Sequence, residues 1–163
     1  MFAGVGGFRT GLTNAGDFFM PVGWCEIDKY AQLAYRALYE TEGEYFCNDA
    51  TQINPYDIPD FDLICAGFPC QPFSVAGLKR GFEDTRGTLF FNIANLVKEK
   101  ITSGYPPKVL FLENVRGLKN HDKGKTLQVI LATLEELGYN YSYEVLNAKY
   151  FGVPQNRERL FII

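Results

Sequence analysis

The 163-residue sequence predicts an α/β fold: a Rossmann-like, mostly parallel sheet with helices on both faces. Three observations lead there. Short apolar runs of strand length alternate with stretches of helical apolar spacing, the pattern of parallel strands joined by crossover helices. A glycine-dense turn, Gly4-Val5-Gly6-Gly7, stands near the start, and residues without a Cβ let backbone approach a ligand closely. Glu26, Asp49, Cys70 and Glu113 come from well-separated segments, yet each falls at or just past the carboxyl end of an expected strand. A parallel sheet gathers those ends at one edge, where open α/β sheets hold their ligands.

The elements follow in order. Val22 to Ile27 reads as a strand. Asp28 can cap a helix with Tyr30, Leu33, Ala34, Ala37 and Leu38 at helical spacing, its carboxylate taking free amides of the first turn. Tyr45 to Cys47 and Phe61 to Ala66 are the next strands. Gly67 to Gly87 is a loop too long for a plain connector, made hinge-capable by Gly77, Gly81 and Gly87. Thr88 can cap a helix carrying Leu89, Ile93, Leu96, Val97 and Ile101. Val109 to Leu112 is a strand. Asp122 to Leu137 is a helix with Leu127, Ile130, Leu131 and Leu134 inward, and Gly138 stops it. Tyr141 to Leu146 and Leu160 to Ile163 are late strands.

A hydrophobic content of 47% with 21% charged residues describes a globular chain able to bury a core. No apolar run approaches the ~20 residues of a membrane helix, and no basic segment followed by an apolar one marks a signal peptide. The four cysteines form no C-x-x-C pair. With one histidine they make a poor zinc set, so no metal is expected. A reducing cytoplasm is the expected compartment. Net charge is −3, which disfavours a general nucleic-acid binder. The cations Lys79, Arg80 and Arg86, and again Arg157 and Arg159, form two small basic clusters. They suit contact with DNA at one mouth only, although on charge alone they read as ordinary solvated charges.

Two features carry the chemistry. Glu26 lies about 20 residues after the glycine turn, where an acid can hold ribose hydroxyls. This pair fits a dinucleotide or S-adenosylmethionine, although the dinucleotide spacing G-x-G-x-x-G fails at Arg9. Cys70 stands between Pro69 and Pro72 in Gly67-Phe68-Pro69-Cys70-Gln71-Pro72. That setting favours a reactive thiolate over a small buried hydrophobe, the reading for Cys25, Cys47 and Cys65. His121 in a polar turn and Trp24 in a strand read as solvated and packed, respectively.

Phe2-Ala3-Gly4-Val5-Gly6-Gly7, Gly67 to Pro72, Glu113-Asn114-Val115 and Gln155-Asn156-Arg157-Glu158-Arg159 together resemble the DNA (cytosine-5)-methyltransferase family, of the bacterial restriction–modification type. They match its cofactor turn, nucleophile loop, glutamate motif and arginine motif, in the family's order. The resemblance implies transfer of a methyl group from S-adenosylmethionine to C5 of a cytosine flipped out of double-stranded DNA. It implies Cys70 as the nucleophile at C6, Glu113 as the acid at N3, Arg159 holding O2, and Arg157 holding a phosphate or ordering its loop. For the cofactor it implies Phe2 and Ala3 beside the adenine or sulfonium, and the Gly4, Val5, Gly6 and Gly7 backbone facing the methionine moiety. Glu26 falls on the ribose and Ile27 beside the adenine. Asp49, followed by Ala50, falls on the adenine amino group, and Pro69 and Leu89 complete the wall. Gln71, Ser74 and Arg86 approach DNA. The whole chain, 1–163, is then expected to be a catalytic, cofactor-binding domain lacking the family's first strand, target-recognition region and final cofactor helix. It should be inactive alone and dependent on a complementing chain. The rival readings are an inactive remnant or partner-dependent subunit, a dinucleotide-dependent oxidoreductase, and a transfer-RNA methyltransferase of the same superfamily. Adenine and cytosine-N4 methyltransferases are disfavoured because no Pro-Pro-aromatic motif led by Asp, Asn or Ser occurs.

Overall fold

The computed structural model describes residues 1–69 and 89–163. Four helices and six strands alternate along the described chain: α1 (Gly7–Ala15), β1 (Gly23–Cys25), α2 (Lys29–Leu38), β2 (Tyr45–Cys47), β3 (Leu63–Gly67), α3 (Leu89–Thr102), β4 (Val109–Val115), α4 (Lys125–Glu136), β5 (Tyr143–Asn147) and β6 (Glu158–Ile162). The α/β class is the one expected. The described strands, however, form two sheets rather than one. In the first, β1 and β2 run parallel, with Gly23 opposite Tyr45 and Cys25 opposite Cys47. The second has the order β3-β4-β6-β5. Here β3 and β4 are parallel, whereas β6 is antiparallel to both of its neighbours. The parallel character thus ends at β4. The short link from β5 to β6 has no crossover helix to reverse its direction, and parallel neighbours require one.

Strand alternation builds the core of the second sheet. Ile64 and Ala66 of β3, Leu110 and Leu112 of β4, and Leu160 and Ile162 of β6 are buried in one cluster with α3 and α4. The intervening residues point to the opposite face. There Phe8 of α1 meets Phe111 edge-on at 5.0 Å, and Phe111 lies 5.8 Å from Phe161. Both faces are therefore covered, as expected of strands linked by helices. Residues 1–3 run between the two sheets. The Met1 amine donates to the Cys65 carbonyl of β3 at 2.6 Å, and Ala3 N–H donates to the Cys25 carbonyl of β1 at 3.0 Å. A cavity of about 500 Å³ lies alongside them, with β1 and β3 in its walls.

Three elements differ from their sequence reading. In α2 the expected inward residues Tyr30, Leu33 and Leu38 are exposed, and the one fully buried residue is Tyr35. The inward stripe is aromatic and polar: Tyr35 stacks on Trp24 at 4.4 Å and meets Tyr39 at 4.8 Å. The helix expected from Asp122 begins at Lys125, after a 3₁₀ stretch Arg116–Gly124. Asp122 and Lys123 have φ of 47° and 56°, a left-handed backbone that no α-helix contains. Strand β4 runs on to Val115, so Glu113 lies inside the strand rather than past it. The capping role of Asp28 is as expected, with Oδ1 accepting the Tyr30 and Ala31 amides, both at 2.8 Å.

The helix faces give the first prediction. Tyr35→Ala should lower the unfolding free energy by about 3–5 kcal/mol, as removal of a buried aromatic does. Leu33→Ala should change it by less than about 0.5 kcal/mol. Urea denaturation of the two variants checks this, and a larger loss for Leu33→Ala would contradict the assigned face.

Candidate active site

The glycine turn is held from several directions. Gly6 N–H donates to the Ala3 carbonyl at 2.9 Å as the chain turns into α1. Gly6 has φ +91°, a backbone conformation that favours glycine, and a Cβ there would press on the end of the Tyr39 ring. The Tyr39 hydroxyl donates to the Gly6 carbonyl at 2.9 Å. Arg9, the residue that breaks the dinucleotide spacing, packs its guanidinium 4.7 Å from the Tyr39 ring and pairs with Glu44 at 2.8 Å. Gly4 N–H donates to Glu26 Oε2 at 2.7 Å, while Glu26 Oε1 accepts from Asp28 N–H at 2.9 Å. Glu26 thus lies where the sequence places it, directly past β1 and against the turn.

The other residues that the resemblance assigns to the cofactor come from several elements. Phe2 and Ala3 are half-buried, and Phe2 has φ +55°. Val5 and Gly7 are exposed. Ile27, the residue after Glu26, is exposed. Asp49 follows β2 and uses Oδ1 to accept from Thr51 N at 2.9 Å and Thr51 Oγ1 at 2.8 Å. Ala50 is buried in the turn that Asp49 starts. Pro69 is exposed after β3, and Leu89 is half-buried at the start of α3.

A second cluster sits where β3, β4 and β6 meet. Glu113 pairs in register with Gly67. A Cβ on Gly67 would lie 3.3 Å from Glu113 Oε2 and 4.0 Å from the Phe2 carbonyl oxygen. The missing side chain therefore lets the carboxylate and the glycine-turn backbone converge on the end of β3. Arg159 Nε forms an ion pair with Glu113 Oε1 at 2.8 Å, with both side chains about one-fifth exposed. Arg159 Nη1 donates to the Glu158 carbonyl at 2.8 Å. Because β6 is antiparallel, its start lies at the edge where β3 and β4 end, and this brings Arg159 to Glu113 from 46 residues away. Arg157 is exposed just before β6. Its N–H donates to Asn147 Oδ1 at 3.2 Å, and its carbonyl accepts from Ala148 N–H at 3.0 Å. Cys70, Gln71, Ser74 and Arg86 lie outside the described residues.

Two asparagines escaped the sequence reading. Asn114 is buried, donates from Nδ2 to the Phe68 carbonyl at 2.8 Å, and accepts from Val115 N–H at 2.8 Å. It ties the chain leading to Pro69 onto β4. Its place inside the Glu113-Asn114-Val115 motif was the available signal. Asn147 is buried and joins Lys149 N, Arg157 N and Asn156 into one loop. An Asn before a turn was its only mark.

The remaining titratable candidates are structural. Burial and the neighbouring Cys47 push the Cys25 thiol up to about 12, and burial pushes Cys65 up to about 11. Both therefore stay protonated near neutral pH, where they are poor nucleophiles. His121 Nδ1 and Thr126 Oγ1 share a 2.6 Å hydrogen bond in the turn before α4. Among the described residues no group of three or more His, Cys, Asp or Glu could hold a metal ion, and no helix is long and apolar enough to cross a membrane.

Comparison with known proteins shows the family and the fold. The family model for C-5 cytosine-specific DNA methylase matches residues 1–163. This chain belongs to that family. The type II methyltransferase M.NlaX of Neisseria lactamica is 54% identical over all 163 residues, which are 50% of its own length. M.HhaI of Haemophilus parahaemolyticus, also named a type II methyltransferase, is 48% identical, with 47% of its length covered. The methylase chain thus spans about half of these curated relatives. Among solved structures, a Spodoptera frugiperda DNMT2 variant superposes with a TM-score of 0.72 at 22% identity, over 99% of this chain and 47% of that one. S. pombe Dnmt2 gives 0.68 at 20%, over 99% and 46%. At that identity the likeness speaks for the fold, an α/β methyltransferase fold.

If the Glu113–Arg159 contact is a working pair rather than two adjacent surface groups, a double-mutant cycle should detect it. With Glu113→Ala, Arg159→Ala and the double variant, unfolding free energies should give a coupling of about 0.5–3 kcal/mol. A coupling near zero would place both side chains with ordinary exposed ion pairs.

Proposed function

We propose that residues 1–163 form the catalytic, S-adenosylmethionine-binding domain of a DNA (cytosine-5)-methyltransferase of the restriction–modification type, acting on a cytosine flipped out of double-stranded DNA in a reducing cytoplasm. Family membership supports the reaction class. The observation that carries the reading further is the convergence of the glycine turn, the end of β3, Glu113 and Arg159 at one sheet edge. A dinucleotide oxidoreductase is not favoured: the third position of its glycine pattern is Arg9, packed against Tyr35 and Tyr39 and paired with Glu44.

The residues present fit S-adenosylmethionine. Cβ atoms built on Gly4 and Gly7 meet nothing within 4 Å, so the turn offers open backbone, and the Glu26 carboxylate stands against it. Glu26 would hold the ribose and Asp49 the adenine amino group, with exposed Ile27 and Pro69 flanking the ring. Phe2, Ala3 and the turn from Gly4 to Gly7 would face the methionine portion, while Ala50 and Leu89 back the wall. When bound, the cofactor supplies an electrophilic methyl group.

The chain's own residues prepare the base. The Cys70 thiolate adds to cytosine C6, forming a C6–S bond and pushing electrons towards N3 and O2. Glu113 passes a proton to N3. Arg159, whose Nε and Nη1 are engaged by Glu113 and Glu158, keeps Nη2 for O2. The enamine so formed makes C5 nucleophilic. Once C5 has taken the methyl group that S-adenosylmethionine would supply, loss of the C5 proton to a base expels the thiolate, breaks the C6–S bond and lets N3 return its proton to Glu113. Arg157, Arg86, Gln71 and Ser74 would contact the DNA.

The chain covers about half of its relatives' length and carries a net charge of −3. Base flipping costs a few kcal/mol that DNA contacts must offset. We therefore expect negligible methyl transfer from these 163 residues alone, and activity once the regions its relatives carry are supplied by fusion or by a complementing chain. In that complemented enzyme, duplex DNA containing 5-fluorocytosine should trap a covalent adduct, because fluorine cannot leave C5 as a proton does. Denaturing gels should show the adduct in wild type and in Cys65→Ser, and no adduct in Cys70→Ser. An adduct that survives Cys70→Ser would overturn the assignment of the nucleophile.

A further inference from the structure

We propose that Gln32 is a positioning residue that sets Asp49 relative to Glu26 and thereby governs recognition of the cofactor's purine; the inference rests on the S-adenosylmethionine reading above. Gln32 is half-buried in the first half of α2. Its Nε2 donates to the Glu26 carbonyl at 2.7 Å and to Asn48 Oδ1 at 2.6 Å. A backbone carbonyl can only accept, so Glu26 O fixes which end of the amide faces it. Both hydrogens of Nε2 are then committed, one to the segment leaving β1 and one to the segment leaving β2.

The position of this clamp in the ladder gives it its effect. The parallel pairing of β1 with β2 ends with Glu26 N–H donating to the Cys47 carbonyl at 3.2 Å. In a parallel ladder a residue that donates to residue j accepts from residue j+2, so the next rung would be Asp49 N–H to Glu26 O. Gln32 Nε2 occupies that acceptor instead. The ladder stops, and Asp49 turns into the short 3₁₀ segment Ala50–Gln52, with Oδ1 taken by Thr51. Its second carboxylate oxygen remains for a ligand. The helix that carries Gln32 is itself anchored to Glu26, since Asp28 caps α2 and its N–H reaches Glu26 Oε1. The ribose acid and the purine acid are thus held apart at a fixed span by one side-chain amide.

A merely structural glutamine and a positioning one differ in ligand selectivity. The probes are S-adenosylhomocysteine and S-inosylhomocysteine, which carries a 6-oxo group in place of the 6-amino group. Calorimetry on the enzyme completed with the regions of its relatives should show wild type preferring the adenosyl compound. Gln32→Met, which keeps the length and removes the donors, should cut that preference by about tenfold, with S-inosylhomocysteine binding little changed. Asn48→Ala is at an exposed residue and removes only the β2 side of the clamp; it should reduce the preference in the same direction. Equal weakening of both ligands in both variants, or an unchanged preference, would overturn the role of Gln32. Wild type that binds both ligands equally would overturn it too, while leaving the cofactor reading intact. Wild type that binds neither would remove that reading and this inference together.

Discussion

The carboxylate of Glu26 accepts the Gly4 amide on one oxygen, at 2.7 Å, and the Asp28 amide on the other, at 2.9 Å. Those two bonds join three elements: the glycine turn ahead of α1, the end of β1 and the start of α2. The same residue continues the strand pairing through its N–H to Cys47 O and receives Gln32 on its carbonyl. A backbone amide bound to a charged carboxylate is stronger than a neutral hydrogen bond, and half-burial screens it less than full exposure would. The turn's shape follows from this anchor together with Tyr39, which closes on Gly6 from the far end of α2.

The second half of the edge depends on strand direction. Parallel β3 and β4 bring Gly67 and Glu113 side by side. The antiparallel return of β6 then delivers Arg159 at the start of its strand to a carboxylate near the end of another. Had β6 been parallel, Arg159 would lie at the opposite edge. The mixed topology is therefore what assembles acid and guanidinium, and buried Asn114 fixes the Phe68 backbone to the same strand.

Much of this was legible in the sequence because it rests on local rules. The glycine turn, the Asp28 cap and the inward positions Leu127, Ile130, Leu131 and Leu134 of α4 are each set by backbone freedom, one side-chain oxygen or helical spacing, and all are as expected. Glu26 and Glu113 were found from strand ends: Glu26 directly follows β1, and Glu113 lies near the end of β4. What failed depends on tertiary partners. The face of α2 was misjudged because Tyr35 and Tyr39 are drawn inward by Trp24 and Arg9, against the pattern of its aliphatic residues. The antiparallel pair β5 and β6 leaves no periodic trace that separates it from parallel strands. Left-handed Asp122 and Lys123 interrupt what composition reads as continuous helix. Gln32 and Asn114 act through bonds to distant carbonyls, which spacing along the chain does not reveal.

The turn anchored by Glu26 is proposed as the site for S-adenosylmethionine. Titration calorimetry with S-adenosylhomocysteine and with NAD, on the wild-type chain and on Glu26→Ala, tests it most directly. Wild type should bind S-adenosylhomocysteine weakly but measurably and NAD more weakly or not at all, with a loss of about tenfold or more in Glu26→Ala. Tighter binding of NAD, or S-adenosylhomocysteine binding unaffected by loss of the Glu26 carboxylate, would contradict it.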